Sequence, residues 1–409
     1  MPRAANAKLD VLIVLDRSAS MAAVNQTLAT QFGSVTETLR GALGAELDLH
    51  VGLITSDLGA LNTLSVGGCE GFGDEGRLLQ DASCPRSDGL AFWRDQPAAG
   101  GARDVNFSGA LGDAVACLAA NITQGCGFEQ PIAALARAVR EPSNASFFRA
   151  DAVLAAVVVS DEDDCSAASS LLFAPGVEGS PLGPLTSFRC FQQGVECAEP
   201  DLRSVGAKSS CTTRVDADLV SAPAELLAEV RAAKGDLDRF FLLTITGPAE
   251  PVAVELVDPG SGPTAQLAPS CTSTVGDTVL AAPAIRLIEA AAEVPGRGVS
   301  RSLCATDLGA ELAASTRSLI DLATARGCLP GEVPDADPAV AGLQTRCHAI
   351  AVAADGSRTE LAACGTGSTP CVTFEVDAAC DHHPTSLRAE VTGDVGAARV
   401  AIECELPPT

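Results

Sequence analysis

Three oxygen-bearing side chains, Asp16, Ser18 and Ser20, stand at alternate positions directly after the apolar run Val11-Leu12-Ile13-Val14-Leu15. One carboxylate and two hydroxyls, separated by Arg17 and Ala19, can turn three oxygens toward one point. Hard cations such as Mg²⁺ and Ca²⁺ take oxygen ligands of this kind. The same residues would also serve as a cap for the following helix, because Asp and Ser accept hydrogen bonds from free helix N–H groups. A second apolar run, V-L-A-A-V-V-V-S over 153–160, ends in Asp161-Glu162-Asp163-Asp164. Glu162 to Asp164 read as a solvated acidic loop. Asp161 is set to lie beside the end of the first run if both are neighbouring strands of a doubly wound sheet.

The elements that must position these groups are legible from periodicity. Continuous β-branched runs suit strands covered on both faces. Strands are predicted over 11–15, 47–56, 153–160, 239–246 and 300–303. Val24, Leu28, Phe32, Val35 and Leu39 recur at spacings of three and four, which predicts an amphipathic helix ending near Gly41 and Gly44. Further helices are predicted over 107–122, 129–139, 219–234, 282–294 and 308–326. Strands alternating with helices imply a parallel-dominated sheet. The expected fold class is α/β: a doubly wound, mostly parallel sheet with helices on both faces, over 8–330. Loop-rich insertions interrupt it near 58–104, 165–214 and 247–278. After the turn-rich segment P-G-E-V-P-D-A-D-P, short strands are predicted over 347–353, 371–376, 387–392 and 399–403, forming a small β-rich module over 331–409.

Here the residues carry a resemblance. Asp16-x-Ser18-x-Ser20 after an apolar strand, with Asp161 closing a second one, is similar to the metal-ion-dependent adhesion site of von Willebrand factor type A domains. The resemblance covers about residues 8 to 328, interrupted by the three insertions. It implies that Asp16, Ser18, Ser20 and Asp161 hold Mg²⁺, or Ca²⁺ or Mn²⁺, and that an open coordination position accepts a partner's carboxylate. The segment Gly127-Phe128-Glu129-Gln130-Pro131-Ile132-Ala133-Ala134-Leu135 is similar to the loop in which the family places a metal-binding Thr. No Thr stands there; by spacing Glu129 takes its place, with Cys126 as the other occupant. A Glu adds a charge where the family has a neutral hydroxyl. The site then holds its ion more tightly and attracts a partner carboxylate less.

Composition narrows the function classes. Lys plus Arg is 27 against 52 for Asp plus Glu, a formal net charge of −25, which argues against nucleic acid. It fits cations, basic partners or solubility. Sixteen Cys without a C-x-x-C pair read as disulfides of an exported protein: extracellular, cell-surface or periplasmic. Met1 to Lys8 is polar and lacks the apolar core of an export signal, so either the signal is already removed or the compartment is another. No run of roughly 18 apolar residues is present, so no membrane span is expected. Loop lengths suggest the pairs Cys69–Cys84, Cys117–Cys126, Cys165–Cys211, Cys190–Cys197 and Cys271–Cys304, with Cys328 bonded to one of the five C-terminal cysteines.

Enzymatic readings find less. No G-x-S-x-G elbow follows a strand and no G-x-x-x-x-G-K-[ST] loop is present. His50 sits in a strand as a satisfied histidine, and Trp93 packs beneath the first insertion. Asp381-His382-His383 beside Cys380 reads as a surface turn rather than a metal site. The expectation is therefore a non-enzymatic, cation-dependent adhesion module that binds a protein or surface polymer, in one mode through an acidic side chain of the partner. The alternative is an exported scaffold with an internally satisfied metal site, binding through its insertions.

Overall fold

The computed structural model describes residues 8–404 except 45–46, 62–67, 85, 87, 123, 178, 235–238, 259, 261, 274–278, 295–296, 325–328, 330–332, 334, 337–338, 341–342, 353–356, 377–386, 394 and 396–398. The chain divides into two compact units, Ala7–Leu319 and the stretch from Ile320 to Thr409.

The larger unit is built on a seven-stranded mixed sheet. In chain order its strands are β1 (Lys8–Leu15), β2 (Asp48–Thr55), β3 (Trp93–Pro97), β4 (Arg103–Val105), β5 (Val153–Val159), β6 (Phe240–Thr246) and β7 (Gly298–Ser302). The spatial order is β7-β6-β5-β1-β2-β3-β4. The first four pairings are parallel, and β3 and β4 add antiparallel to the β2 edge. The helices are α1 (Ala22–Leu43), α2 (Leu111–Ala119), α3 (Pro131–Ala138), α4 (Phe188–Gly194), α5 (Pro223–Lys234), α6 (Ile285–Ala292) and α7 (Leu308–Thr324).

Alternation along the strands sends side chains to both faces. Leu12, Val14, Leu154, Ala156, Val158 and Leu242 pack with Ile132 and Leu135 of α3, Leu227 of α5 and Leu287 of α6. Val11, Leu49 and Val51 meet Phe32, Val35 and Leu39 of α1 and Val115 of α2 around a small apolar cavity. Covering on both faces explains why residues 11–15 of β1, all of β5 and residues 240–243 of β6 run apolar without alternation. Two glycines set the approach of α1 and α2: a Cβ on Gly112 would lie 2.5 Å from the Gly33 Cα. At the amino ends of β1 and β2, Arg149 bridges Asp10 (Nε to Oδ1, 2.8 Å) and Asp48.

The insertions differ from expectation. The first is not a loop closed on its own bridge, because its end supplies β3 and β4. The second and third share one apolar core, in which Phe188, Phe191 and Val195 meet Val252, Val254 and Ala265. Their strands also pair, Val252–Val257 lying between Gly206–Lys208 and Thr264–Leu267.

Four of the expected disulfides are replaced. The bonds are Cys69–Cys126, Cys84–Cys117, Cys165–Cys190 and Cys197–Cys211, while Cys271–Cys304 forms as expected. The exchange follows from the fold. The first insertion runs back to the loop before α3, which carries Cys69 to Cys126 and leaves Cys84 to α2. Trp93 is buried, 1% exposed, beneath the Arg86 guanidinium.

In the smaller unit two three-stranded sheets enclose Ala349, Leu361, Val372 and Ala389. Cys347–Cys404 ties the paired end residues of two neighbouring strands in one sheet, and Cys364–Cys371 closes a short loop of the other. Cys328, Cys380, His382 and His383 lie outside the described residues. Among the described residues, no helix is long and apolar enough to cross a membrane. Seven disulfides among the described residues mark a protein that matures in an oxidising, extracytoplasmic setting.

Candidate functional site

The strand order reverses between β1 and β5. From β1 the chain goes on to β2 on one side; from β5 it goes on to β6 and β7 on the other. The two connections leave in opposite directions, and the crevice between them at the carboxyl ends is where open α/β sheets place ligands. Both predicted strand tips end there. The Asp16 N–H donates to the Val159 carbonyl at 3.0 Å, and the Ser56 N–H, after β2, donates to the Leu15 carbonyl at 3.0 Å.

Asp16 is buried, 1% exposed. Its Oδ1 accepts the Ser18 N–H at 2.6 Å and its Oδ2 accepts the Ser160 hydroxyl at 2.6 Å. The Ser18 and Ser20 hydroxyls lie 2.9 Å apart. Asp161 is buried, 3% exposed, at the end of β5 next to Ser160, whose hydroxyl bonds Asp16. Glu129, in the turn before α3, is fully buried, and one of its carboxylate oxygens accepts the Ser56 hydroxyl. The five residues singled out in the sequence thus gather at one end of the sheet. Ser18 does not cap the short helical turn that follows: that turn has no side-chain cap.

The electrostatics are those of crowded carboxylates. Burial first, then the neighbouring Asp16 charge, pushes Asp161 up to about 8 and Glu129 well above the usual carboxylate range. Burial, then Asp16 and Asp161, raises Glu162 to about 8. Asp16 itself is raised, chiefly by burial. Arg17 is turned aside to Asp74 at 2.6 Å, with Asp57 at 4.0 Å.

Glu162 to Asp164 are not a solvated loop. Asp163 and Asp164 tie the site to neighbouring helices. Asp163 accepts the N–H groups of Arg286 and Leu287, both at 3.0 Å, and so caps α6. Asp164 is fully buried and accepts the Ile132 N–H of α3 at 3.2 Å and the Arg286 guanidinium at 3.1 Å. Arg286, also fully buried, donates further to the carbonyls of Asp164, Gly194 and Ser221. Cys165 donates its N–H to the Glu129 carbonyl at 2.7 Å. Ser56, Ser160 and Arg286 escaped sequence reasoning. A hydroxyl at the end of an apolar strand was the signal for the two serines; for Arg286 nothing in the helix marked it.

The donor set is all oxygen: carboxylates of Asp16, Glu129 and Asp161 and hydroxyls of Ser18 and Ser20. Two of its atoms, Glu129 Oε1 and Asp161 Oδ1, are buried without a hydrogen-bond partner. An orphaned buried carboxylate oxygen is costly unless it is protonated or meets a cation. These residues therefore fit a hard divalent ion. Among the described residues, no three Asp, Glu, His or Cys side chains are arranged to hold a metal ion, so an ion at this end of the sheet would rest on at most two of the carboxylates, with the Ser18 and Ser20 hydroxyls.

No protein-family model and no curated protein matches the sequence. Among solved structures, two forms of the pilus adhesin SpaC from Lactobacillus rhamnosus GG, one of them an open conformation, are similar to this chain at 10% and 11% identity with TM-scores of 0.36 and 0.35. The alignments cover 97% of this chain but 38% and 39% of the adhesin. A likeness that faint establishes neither family nor function.

Proposed function

We propose that this chain is an exported, disulfide-stapled binding module of the von Willebrand factor type A kind, not an enzyme. Its loop end carries a divalent cation, Mg²⁺ or Ca²⁺, on the hydroxyls of Ser18 and Ser20 and at most two of the carboxylates of Asp16, Glu129 and Asp161. With the ion in place it binds a protein or surface polymer. One observation supports this above the others: the unpartnered, buried oxygens of Glu129 and Asp161 stand at the switch point beside Asp16. A cation would satisfy both oxygens and relieve the repulsion among the carboxylates. The net charge of −25 favours cation uptake and disfavours nucleic-acid partners.

The test is twofold. Mn²⁺ binding is followed by electron paramagnetic resonance in the wild type and in Asp161→Asn. Binding to an array of extracellular proteins and surface polysaccharides is then compared in Ca²⁺ plus Mg²⁺ and in a chelator. The expected result is one tight ion, weakened in the variant, and array binding that the chelator removes. A folded chain that takes up no Mn²⁺, or array binding indifferent to the chelator, would sink the reading.

A further inference from the structure

We infer that Arg86 is a carboxylate-reading latch: at rest its guanidinium lies on the Trp93 ring, and a carboxylate of a protein partner draws it off, opening that ring to the apolar residue beside the carboxylate. The inference is independent of the cation reading above and places a second contact, one that needs no metal, at the β3 side of the sheet.

Three nitrogens here are buried without an acceptor: Nε and Nη2 of Arg86 and Nε1 of Trp93. The Arg86 guanidinium carbon stands 4.1 Å from the Trp93 ring centroid. The indole face attracts the cation, but it leaves those N–H groups nothing to donate to, and a buried donor without an acceptor is costly. Burial pushes the Arg86 guanidinium down to about 10, against the opposing charge of Asp88. Asp88 itself is engaged elsewhere. Its Oδ1 accepts the Leu90 N–H at 3.1 Å and the Asn106 amide at 3.0 Å, and its Oδ2 faces Arg94 Nε at 3.3 Å. Other arginines around β3 have carboxylates of their own: Arg40 and Arg103 reach Asp95 at 2.7 and 2.8 Å. Among the described residues no carboxylate hydrogen-bonds Nε or Nη2 of Arg86, in a chain with 52 Asp plus Glu against 27 Lys plus Arg.

The two Arg86 donors converge by covalent geometry alone. Nε–H and one Nη2–H run parallel, the fork that takes both oxygens of a single carboxylate. Arg86 is half-buried rather than enclosed, so rotation of its side chain brings that fork to the surface. Trp93 stays behind. The backbone on either side of it is held by Asn106, which donates to the Phe92 carbonyl at 2.9 Å and accepts the Arg94 N–H at 2.9 Å. Opening the latch therefore leaves a fixed indole face with a free Nε1–H. Trp and Arg are the residues on which protein interfaces concentrate their binding energy. A lone carboxylate among apolar residues suits this place better than a polyanion, which a net charge of −25 repels along its whole length.

Trp93 is the only Trp and the chain has no Tyr, so fluorescence excited in the indole band reports this residue alone. The whole chain is titrated, in a chelator and at matched ionic strength, with glutarate and with the peptides acetyl-Leu-Glu-Leu-amide and acetyl-Leu-Gln-Leu-amide. Glutarate frees the ring, so acrylamide quenching of Trp93 rises, while chloride leaves it unchanged. The Glu peptide shifts the Trp93 emission, and the Gln peptide binds roughly 10–100-fold more weakly, the loss expected for a charge-assisted bidentate contact. Arg86→Gln uncovers the ring with no ligand present, so quenching starts high and glutarate no longer changes it. Wild-type quenching that ignores glutarate overturns the inference, and that measurement needs no variant to fold. So does a folded Arg86→Gln quenched as little as the wild type, because Arg86 would then not be the cover. Alginate fragments binding more tightly than the Glu peptide overturn the assignment to a protein partner.

Discussion

His50 should make the larger unit acid-sensitive, and the size of the effect follows from where the ring sits. It lies on β2, 5% exposed, opposite Asp10 of β1 and Arg94 of β3. The ring packs on Phe92 with centroids 4.5 Å apart. Its Nδ1 faces the Phe147 carbonyl at 3.2 Å and its Nε2 faces the Gln96 amide at 3.2 Å. A neutral ring protonated on Nδ1 satisfies both contacts, donating to the carbonyl and accepting from the amide. Protonating Nε2 would leave two donors face to face. Burial, and then the Arg149 charge, depress the His50 pKa from 6.5 to about 4. Above pH 6.5 the ring is neutral in folded and unfolded chains alike, and its contribution is fully present. As pH falls toward 4 the unfolded chain takes up the proton first, so stability is lost across that window. The gap of about 2.5 pH units corresponds to roughly 3.4 kcal/mol at its limit, of which about 2 kcal/mol is lost by pH 5. With only four histidines in the chain, ring resonances can be assigned by substitution and titrated by NMR. The expected His50 midpoint is near 4, and His50→Gln should remove about 2 kcal/mol of the pH 7.5-to-5 loss in urea unfolding. A midpoint near 6.5, or parallel losses in both proteins, would refute the reasoning.

Three other expectations are open to direct measurement. Arg286→Ala strands the buried Asp164 carboxylate and three carbonyls; breaking a buried pair in this way should cost about 3–5 kcal/mol in chemical denaturation. Gly112→Ala drives a methyl to 2.5 Å from the Gly33 backbone, whereas a Cβ on Gly33 meets Gly112 at an ordinary 3.8 Å. Calorimetry should therefore show Gly112→Ala destabilised by about 1–3 kcal/mol and Gly33→Ala unchanged or stabilised by up to roughly 1 kcal/mol; equal effects would contradict the packing described. Replacing Cys69 and Cys126 together by Ala should cost about 2–4 kcal/mol and, if the proposed cation binds, also weaken Ca²⁺ binding, because Phe128 loses the core it shares with the bridge. A variant with unchanged Ca²⁺ affinity would show that the bridge does not support the site.

The parallel strands and their helices were legible because each carries its own period. β5 is apolar from Val153 to Val159, and α1 shows its stripe from Val24 to Leu39. The strands β3 and β4 were not legible. Arg94, Asp95, Gln96, Arg103 and Asp104 give no apolar alternation; the antiparallel edge is sustained instead by ion pairs such as Arg103 to Asp95 at 2.8 Å. Loop length picks out Cys271–Cys304 correctly but misassigns the other four pairs, since Cys69 and Cys126 meet only after the first insertion folds back. At the site the motif residues were found, but their supports were not. Asp163 and Asp164 look like solvent-facing acids until Arg286, 122 residues from Asp164, is brought against them. The role of Ser56 depends likewise on β2 ending beside β1.

Two sulfur bridges sit just outside the acidic cluster. Cys126 lies three residues before Glu129, and Cys165 lies four after Asp161 with its amide on the Glu129 carbonyl. The two bridges fix the backbone on either side of both groups. If the proposed ion binds, maturation would have a direction, oxidation first and ion second: a chain still held in a reducing cytoplasm would not capture Mg²⁺ or Ca²⁺.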